Sequence, residues 1–438
     1  MAASDQPELK VVEICAGAGG QSLGLEQAGF MHEHAVELDP NAAATLRHNL
    51  NRRGLDGEKI VKIGDVAELS VLNPSDHVDV DLLAGGVPCP PFSIAGKQLG
   101  ANDERDLFAW AVELCGKMKP KALLLENVRG LSGNRFSAYR QHVLDRLRSH
   151  GYVGEWRLLN ASDYGVVQLR PRFVLIALRP EFAEYFRWPE PIAGEKKTVG
   201  DLLLDLMMNE GWEPEQADAW AAKANNIAPT IVGGSKKHGG ADLGPTRAKR
   251  AWALLGVDAM GVADKAPLHG WRPEPGKPGP KLTTEMVARI QGWTGEFADW
   301  EFLGRKTTVY RQIGNAFPPP VAKALGDSIR NALLRVGEPR AMIEEQDAVQ
   351  DPVYTLLRAA TKPVTVDQIA SKLLKNGFVF EAPEIERHLV NLARDFEIAM
   401  AERANGVLTF KLGEFQAFVG QDAHSRHELF DQNRARIS

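Results

Sequence analysis

Val78-Asp79-Val80-Asp81-Leu82-Leu83-Ala84-Gly85-Gly86-Val87-Pro88-Cys89-Pro90-Pro91-Phe92-Ser93 joins two unlike pieces of chain. The first, VDVDLLA, is a short apolar run closed by two glycines and predicts a strand. The second crowds three prolines around one cysteine. Proline fixes φ and removes backbone donors, so this piece predicts a stiff, non-helical loop. A thiol is thereby mounted at the carboxyl end of a strand, where open α/β sheets place their ligands. Cys89 is a candidate nucleophile on that ground. The alternative is a small buried hydrophobe, the usual state of a cysteine outside a disulfide.

The flanking chain repeats the strand-then-polar-turn pattern. Residues 9–16 (LKVVEICA) predict a buried strand, followed by Gly17-Ala18-Gly19-Gly20 and a helix through Leu23, Leu25 and Ala28. Residues 35–38 predict a strand ending at Glu37 and Asp39, then a helix over 40–50. Residues 60–63 predict a short strand leading into Gly64-Asp65. A helix over 107–118 precedes a strand over 122–125, which ends at Glu126-Asn127. A helix over 138–149 and strands over 155–160 and 173–178 follow. Strands alternating with helices predict an α/β fold, a mostly parallel, Rossmann-like sheet with helices on both faces.

From Pro189 the periodicity weakens and glycine, proline and tryptophan increase. Regular helix returns over 284–291 and 321–334. Residues 336–351 are polar and acidic and predict a linker. Residues 352–420 have their own pattern: three helices, then two alternating segments joined by Asn405-Gly406, a strong hairpin signal. That set predicts a winged-helix-like domain, with a tail over 421–438. The expected division is a catalytic domain over 1–188 completed by 305–335, and a recognition lobe over 189–304.

Length and composition agree with this division. A chain of 438 residues exceeds one ordinary core. Cys15, Cys89 and Cys115 have neither a disulfide framework nor zinc-ligand spacing, which suits a reducing, cytoplasmic setting with no metal. No apolar run is long enough for a membrane span, and the N-terminus lacks a signal core. The net charge of −5 argues against polyanion binding over the whole surface and leaves room for one basic face.

The polar turns suggest a chemistry. The glycine loop lets backbone approach a ligand closely. Glu37 is placed to bind ribose hydroxyls. A dinucleotide-binding loop would want glycine where Ser22 stands, whereas S-adenosyl-L-methionine has no pyrophosphate and makes no such demand. Asp65 is placed to accept from an adenine amino group. Both acids are alternatively solvated strand ends. Glu126 follows an apolar strand, where burial would favour its proton-donating form; otherwise it is a capping or ion-paired glutamate. Gln168, Arg170 and Arg172 alternate, so in a strand they share one face. Together they would clamp carbonyl or phosphate oxygens, or else form a solvated basic edge.

In this order the motifs resemble those of the C5-cytosine DNA methyltransferases of prokaryotic restriction-modification type. ICAGAGG and VELD resemble the cofactor motifs, PCPPFS the nucleophile motif, ENV the acidic motif and QLRPR the QxRxR motif. ARIQGW and YRQIGNAFPPPVA resemble the closing motifs. The resemblance covers about residues 9–330. It implies S-adenosyl-L-methionine held by Ala16, Gly17, Gly19, Gly20, Glu37, Leu38, Asp65, Val66, Pro88, Asn315 and Ala316. It implies a cytosine flipped out of double-stranded DNA, attacked at C6 by Cys89, with Glu126 at N3 and Arg172 at O2. Arg170 would support the site, and Asn127 would orient the cysteine loop. Ser93, Lys97 and Gln98 would belong to a mobile loop, running to Arg105, that closes over DNA. The family's usual phenylalanine and aspartate are replaced by Cys15 and Glu13, and Leu38 is non-aromatic.

The same resemblance places target recognition in about residues 189–281. There Lys236, Lys237, Arg247, Lys249 and Arg250 gather, with only Asp242 opposing. Lysines beside glycines suit phosphates and arginines suit guanine edges; the alternative is a solvated basic loop. A monomer is expected, with a cognate restriction endonuclease as system partner. The rival functions are an RNA (tRNA) cytosine-5 methyltransferase and a catalytically silent DNA-binding module.

Overall fold

The computed structural model describes residues 8–87, 105–233, 241–340 and 351–415. Seven strands form the main sheet: β1 (Leu9–Ile14), β2 (Phe30–Glu37), β3 (Val61–Ile63), β4 (Leu82–Gly86), β5 (Ala122–Val128), β6 (Val153–Asn160) and β7 (Pro171–Leu178). Their spatial order is β3-β2-β1-β4-β5-β7-β6. Neighbours run parallel except at β7, which is antiparallel to both β5 and β6. The expected mostly parallel α/β sheet is present, with one reversed strand that helix–strand alternation did not reveal.

Successive strand side chains point to opposite faces, and here both faces are covered. Val12, Ile14, Leu83, Leu123, Leu125 and Leu175 pack beneath the helices Arg105–Met118 and Ser137–Ser149. Val11, Leu82, Ala84, Leu124, Val174 and Ile176 pack beneath the helix Pro319–Leu333. This double burial is why the strands read as continuous apolar runs. The helix Pro319–Leu333 also meets the helix Gly20–Gln27 at very close range. A Cβ on Gly24 would overlap Pro319 O, and one on Gly326 would stand 2.6 Å from Ala28 Cβ. Residues far apart in sequence thus close the first domain.

The strand expected over 78–84 starts later. Pro74–His77 forms a 3-10 turn, and Asp79 is left-handed at φ 69°. Asp81 accepts from Lys10 N at 2.7 Å and from Lys121 Nζ at 2.6 Å, so the acidic half of VDVD fixes the strand's entry. β4 then runs through both glycines. A Cβ on Gly85 would stand 2.5 Å from Ile14 Cγ1, which demands glycine there.

Helices also occupy the lobe that looked irregular: Val199–Met208, Pro214–Lys223 and Thr246–Leu254. The first opens with a capping box, Asp201 N donating to Thr198 Oγ1 at 3.1 Å and Thr198 N to Asp201 Oδ2 at 2.9 Å. Leu203, Trp212, Trp220 and Trp252 form the lobe's core, which continues into Leu46 and Leu50 of the helix Pro40–Arg52. Residues 300–303 join the lobe's core to the glycine loop and the helix Pro40–Arg52: Trp300 Nε1 donates to Ala18 O at 3.0 Å, Asn49 Nδ2 to Glu301 O at 2.8 Å and Leu303 N to Thr45 Oγ1 at 2.9 Å.

The C-terminal unit comprises the helices Pro352–Ala359, Val366–Lys375 and Ala382–Leu392 and the hairpin β8 (Phe396–Glu402) and β9 (Leu408–Phe415). Val364 bridges Phe410 and adds a third short edge. Asp351, expected as the end of the linker, is instead a buried N-cap: it accepts from Tyr354 N at 2.9 Å and from Ser137 Oγ at 2.7 Å. His142 stacks on Phe415 with ring centroids 4.2 Å apart. The unit is therefore docked on the helix Ser137–Ser149.

Candidate functional site

The carboxyl ends of β1, β2, β4 and β5 open into a cavity of about 500 Å³. Of the residues expected at a cofactor, Ala16, Gly17, Gly20, Glu37, Leu38, Asp65, Val66, Asn315 and Ala316 line it. Gly19 does not. Its Cβ would overlap Trp300, so this glycine serves packing between the loop and the returning chain. Pro88 lies outside the described residues. The far wall is the helix Lys306–Asn315, whose Thr308, Arg311 and Gln312 face the cavity together with Phe317. Those four, and Gln21 and Asn41, were not anticipated.

Backbone conformation explains the glycine loop. Gly17 and Gly19 have φ of 59° and 92°, and Cys15, without glycine's freedom, has φ 52°. Glu37 fastens this loop to β2: its Oε2 accepts from Gly17 N and its Oε1 from Asp39 N, both at 2.7 Å. Burial pushes the Glu37 carboxyl up, and these backbone donors pull it only partly back. Glu37 lines the cavity as well as fastening the loop. Asp65 is buried; its Oδ1 accepts from Ala67 N at 2.9 Å, while its Oδ2 has no hydrogen-bond partner among the described residues. A buried acceptor without a donor marks a place for a ligand or water.

The acidic motif and the arginine motif meet at the other end. β5 and β7 are antiparallel, with Val128 opposite Arg172, so the start of β7 lies beside the end of β5. Arg172 Nε stands 2.5 Å from Glu126 Oε1, and both side chains are nearly buried. Of the two readings left open for Glu126, the ion-paired one describes this structure, and Glu126 itself lines the cavity. Asn127, also buried, donates from Nδ2 to Val87 O at 3.2 Å, and its Oδ1 accepts from Val128 N at 2.7 Å. It is thereby tied to Val87, two residues before Cys89 in the chain. Cys89 lies outside the described residues, as do Ser93, Lys97 and Gln98. Arg105, expected as the end of that loop, opens the helix Arg105–Met118.

Arg170 departs from the catalytic placement. It is fully buried and donates to Ile231 O at 2.7 Å, Gly314 O at 2.8 Å and Ala316 O at 2.9 Å. Two of these carbonyls end the helix Lys306–Asn315, where unpaired acceptors and the negative end of the helix dipole attract a cation. Gln168 is equally occupied, with Nε2 to Gln291 Oε1 at 2.6 Å and Oε1 accepting from Ile231 N at 2.8 Å. The clamp for oxygens exists, but for Gln168 and Arg170 the oxygens clamped are the protein's own. Of the three, Arg172 is the one that meets Glu126, which lines the cavity.

In the recognition lobe Arg247 and Arg250 are exposed on the helix Thr246–Leu254. Lys249 is paired with Asp242 at 2.6 Å and so differs from them. Lys236 and Lys237 lie outside the described residues. Tyr310 Oη is 2.8 Å from Val232 O and 2.6 Å from Asp242 O, pinning chain on both sides of that segment.

Residues 9–331 match the family model for C-5 cytosine-specific DNA methylase. The chain is 62% identical over 430 residues to the Type II methyltransferase M.NaeI of Lentzea aerocolonigenes, covering 98% of this chain and 99% of that one. It is 48% identical over 325 residues to the Type II methyltransferase M.NgoMIV of Neisseria gonorrhoeae, covering 74% of this chain and 97% of that one. A solved structure of Spodoptera frugiperda DNMT2, a triple mutant, shares the fold at TM-score 0.50 and 17% identity, over 74% of this chain and 99% of that one.

Proposed function

The chain belongs to the C-5 cytosine-specific DNA methylase family and is a DNA (cytosine-5)-methyltransferase; from that premise we propose how its own residues divide the chemistry. The cavity fits S-adenosyl-L-methionine. The buried, unpartnered Asp65 Oδ2 suits an adenine amino group, and the cavity-lining carboxyl of Glu37 suits ribose hydroxyls. When bound, this cofactor supplies the methyl group for cytosine C5.

Cys89, as thiolate, adds to C6 of a cytosine turned out of the duplex, because the ring is unreachable while stacked. The entering cytosine draws Glu126 out of its ion pair, so that its carboxyl takes up a proton and carries it to N3 while Arg172 donates to O2. After C5 is methylated, a base removes its proton and the Cys89–C6 bond breaks, restoring aromaticity. Asn127 positions this step through Val87, two residues before the thiol. The observation that carries the reading is the Glu126–Arg172 pair, whose Glu126 lines the cavity, next to the tie from Asn127 to Val87.

We also propose that the target is double-stranded DNA reached by the face bearing Arg247 and Arg250. The cytoplasm, a monomeric state and a cognate restriction endonuclease complete the proposal. The C-terminal unit is read as winged-helix-like and auxiliary. M.NgoMIV supports this, since nearly its whole length aligns to about three-quarters of this chain. A duplex with 5-fluorocytosine at the target tests the mechanism, because fluorine cannot leave as a proton does. A covalent adduct with the wild type and none with Cys89→Ser is expected. An undiminished adduct in that variant overturns the assignment.

A further inference from the structure

Gln21, in the first turn of the helix Gly20–Gln27, is 3% exposed, and among the described residues neither its amide oxygen nor its amide nitrogen has a hydrogen-bond partner. It lines the cavity. A Cβ built on Gly86 would stand 3.7 Å from Glu126 Oε2, 3.8 Å from Cys15 O and 3.8 Å from Gln21 Oε1. The amide therefore lies at the base of the cavity, between the glycine loop and the end of β4. Buried amides are nearly always paired, so what completes this one must bring both a donor and an acceptor.

The other polar parts of the cofactor already have partners elsewhere. Asp65 suits the adenine and Glu37 the ribose, both on the β2–β3 side of the cavity. Gln21 sits on the β1–β4 side with Glu126, where the methyl group must be delivered. The amino-acid chain of S-adenosyl-L-methionine hangs from the same sulfur as that methyl group. Resting on the assignment of the cavity to this cofactor, we propose that Gln21 binds its zwitterionic amino-acid end. The amide oxygen accepts from the α-ammonium, and the amide nitrogen donates to the α-carboxylate. Acidic side chains could meet only the first of these and arginine only the second.

The test compares two ligands by calorimetry. S-adenosylhomocysteine carries the zwitterion; 5′-methylthioadenosine keeps adenine and ribose but lacks it. Hydrogen bonds to charged groups are strong enough that Gln21→Leu should weaken S-adenosylhomocysteine roughly tenfold or more. The affinity for 5′-methylthioadenosine should stay within about twofold. The unliganded variant should melt no lower than wild type, because an unpaired buried amide has been removed. Gln21→Met, unbranched, repeats the measurement if leucine distorts the helix start. Equal weakening of both ligands, or no change in either, overturns the proposal; the second result would mean that water satisfies the amide. Failure of the wild type to bind either ligand overturns instead the cavity assignment on which the proposal rests.

Discussion

Arg170→Met separates a structural arginine from a catalytic one. The guanidinium donates three hydrogen bonds to main-chain carbonyls at 2.7–2.9 Å, in a place with 1% exposure. A hydrogen bond to a charged group contributes about 1.5–3 kcal/mol. Methionine fills most of the volume and removes a buried charge, which offsets part of the loss. It leaves Ile231, Gly314 and Ala316 with unmet acceptors. A net destabilisation of about 3–5 kcal/mol is expected, a large share of the 5–15 kcal/mol typical of folded proteins. Equilibrium urea unfolding followed by tryptophan fluorescence measures it. Affinity for S-adenosylhomocysteine should fall too, because Ala316 lines the cofactor cavity. Arg170→Lys, with a cation of shorter reach, should lose about half as much. If Arg170→Met unfolds within about 1 kcal/mol of wild type and loses only turnover, Arg170 acts on substrate and its tying role is wrong.

Gly19→Ala must hold a side chain at φ 92° against Trp300. A loss of about 2–4 kcal/mol is expected from left-handed strain and overpacking, partly recovered by adding Trp300→Leu, as read by thermal melting. The docking of the C-terminal unit should depend on pH through Asp351 and His388, 3.1 Å apart. Burial pushes Asp351 up, but His388, Tyr354 N and Ser137 pull it below the usual carboxylate range; the bond to Asp351 raises His388 against its burial. The Asp351 contribution is present above about pH 4 and lost as pH falls through its lowered pKa. The His388 contribution is present below about pH 6.5 and lost as pH rises through its raised pKa. Amide protection of the helix Pro352–Ala359, taken relative to the intrinsic exchange rate at each pH, should be greatest between those values. His388→Gln should abolish the alkaline change; an unaltered profile would contradict this account. Arg247→Ala and Arg250→Ala should relax preference at single base pairs by about 1–3 kcal/mol each, whereas Lys249→Ala should mainly release Asp242. Methylation of a randomised duplex library reads both, and a uniform loss across sequences in the arginine variants would refute guanine reading.

Much of the site was legible because each motif ends an apolar run, and a sheet buried on both faces brings such ends to one edge. Glu37, Asp65, Glu126 and Asn127 were found in that way. What sequence could not show is which polar faces are later covered. Alternation puts Gln168, Arg170 and Arg172 on one strand face, but β7 begins only at Pro171, and Ile231, Gln291 and residues 314–316 take up the two side chains that precede it. Those partners are 60 or more positions away, and no local period announces them. The reversal of β7 is likewise a pairing fact, decided by β5 and β6 together. In the recognition lobe Thr198 and Asp201 were a readable helix start. The run VGDLLLDLMM was overlooked because the surrounding prolines and glycines dominated the window. Gln21 has no motif at all; only its burial without a partner singles it out.

The contact of Gly24 with Pro319 and of Gly326 with Ala28 also sets a timetable. About a quarter of the cavity lining comes from residues 15–21 and another quarter from residues 308–317, backed by a helix ending at Leu333. During synthesis the glycine loop emerges first and must wait for roughly three hundred further residues. At about 5–20 residues per second that delay is of the order of 15–60 s. Through this interval the sheet face that Val321, Leu325 and Ile329 will cover stays bare. The nascent chain cannot complete this cavity until translation is about three-quarters done, so the site is finished late and all at once.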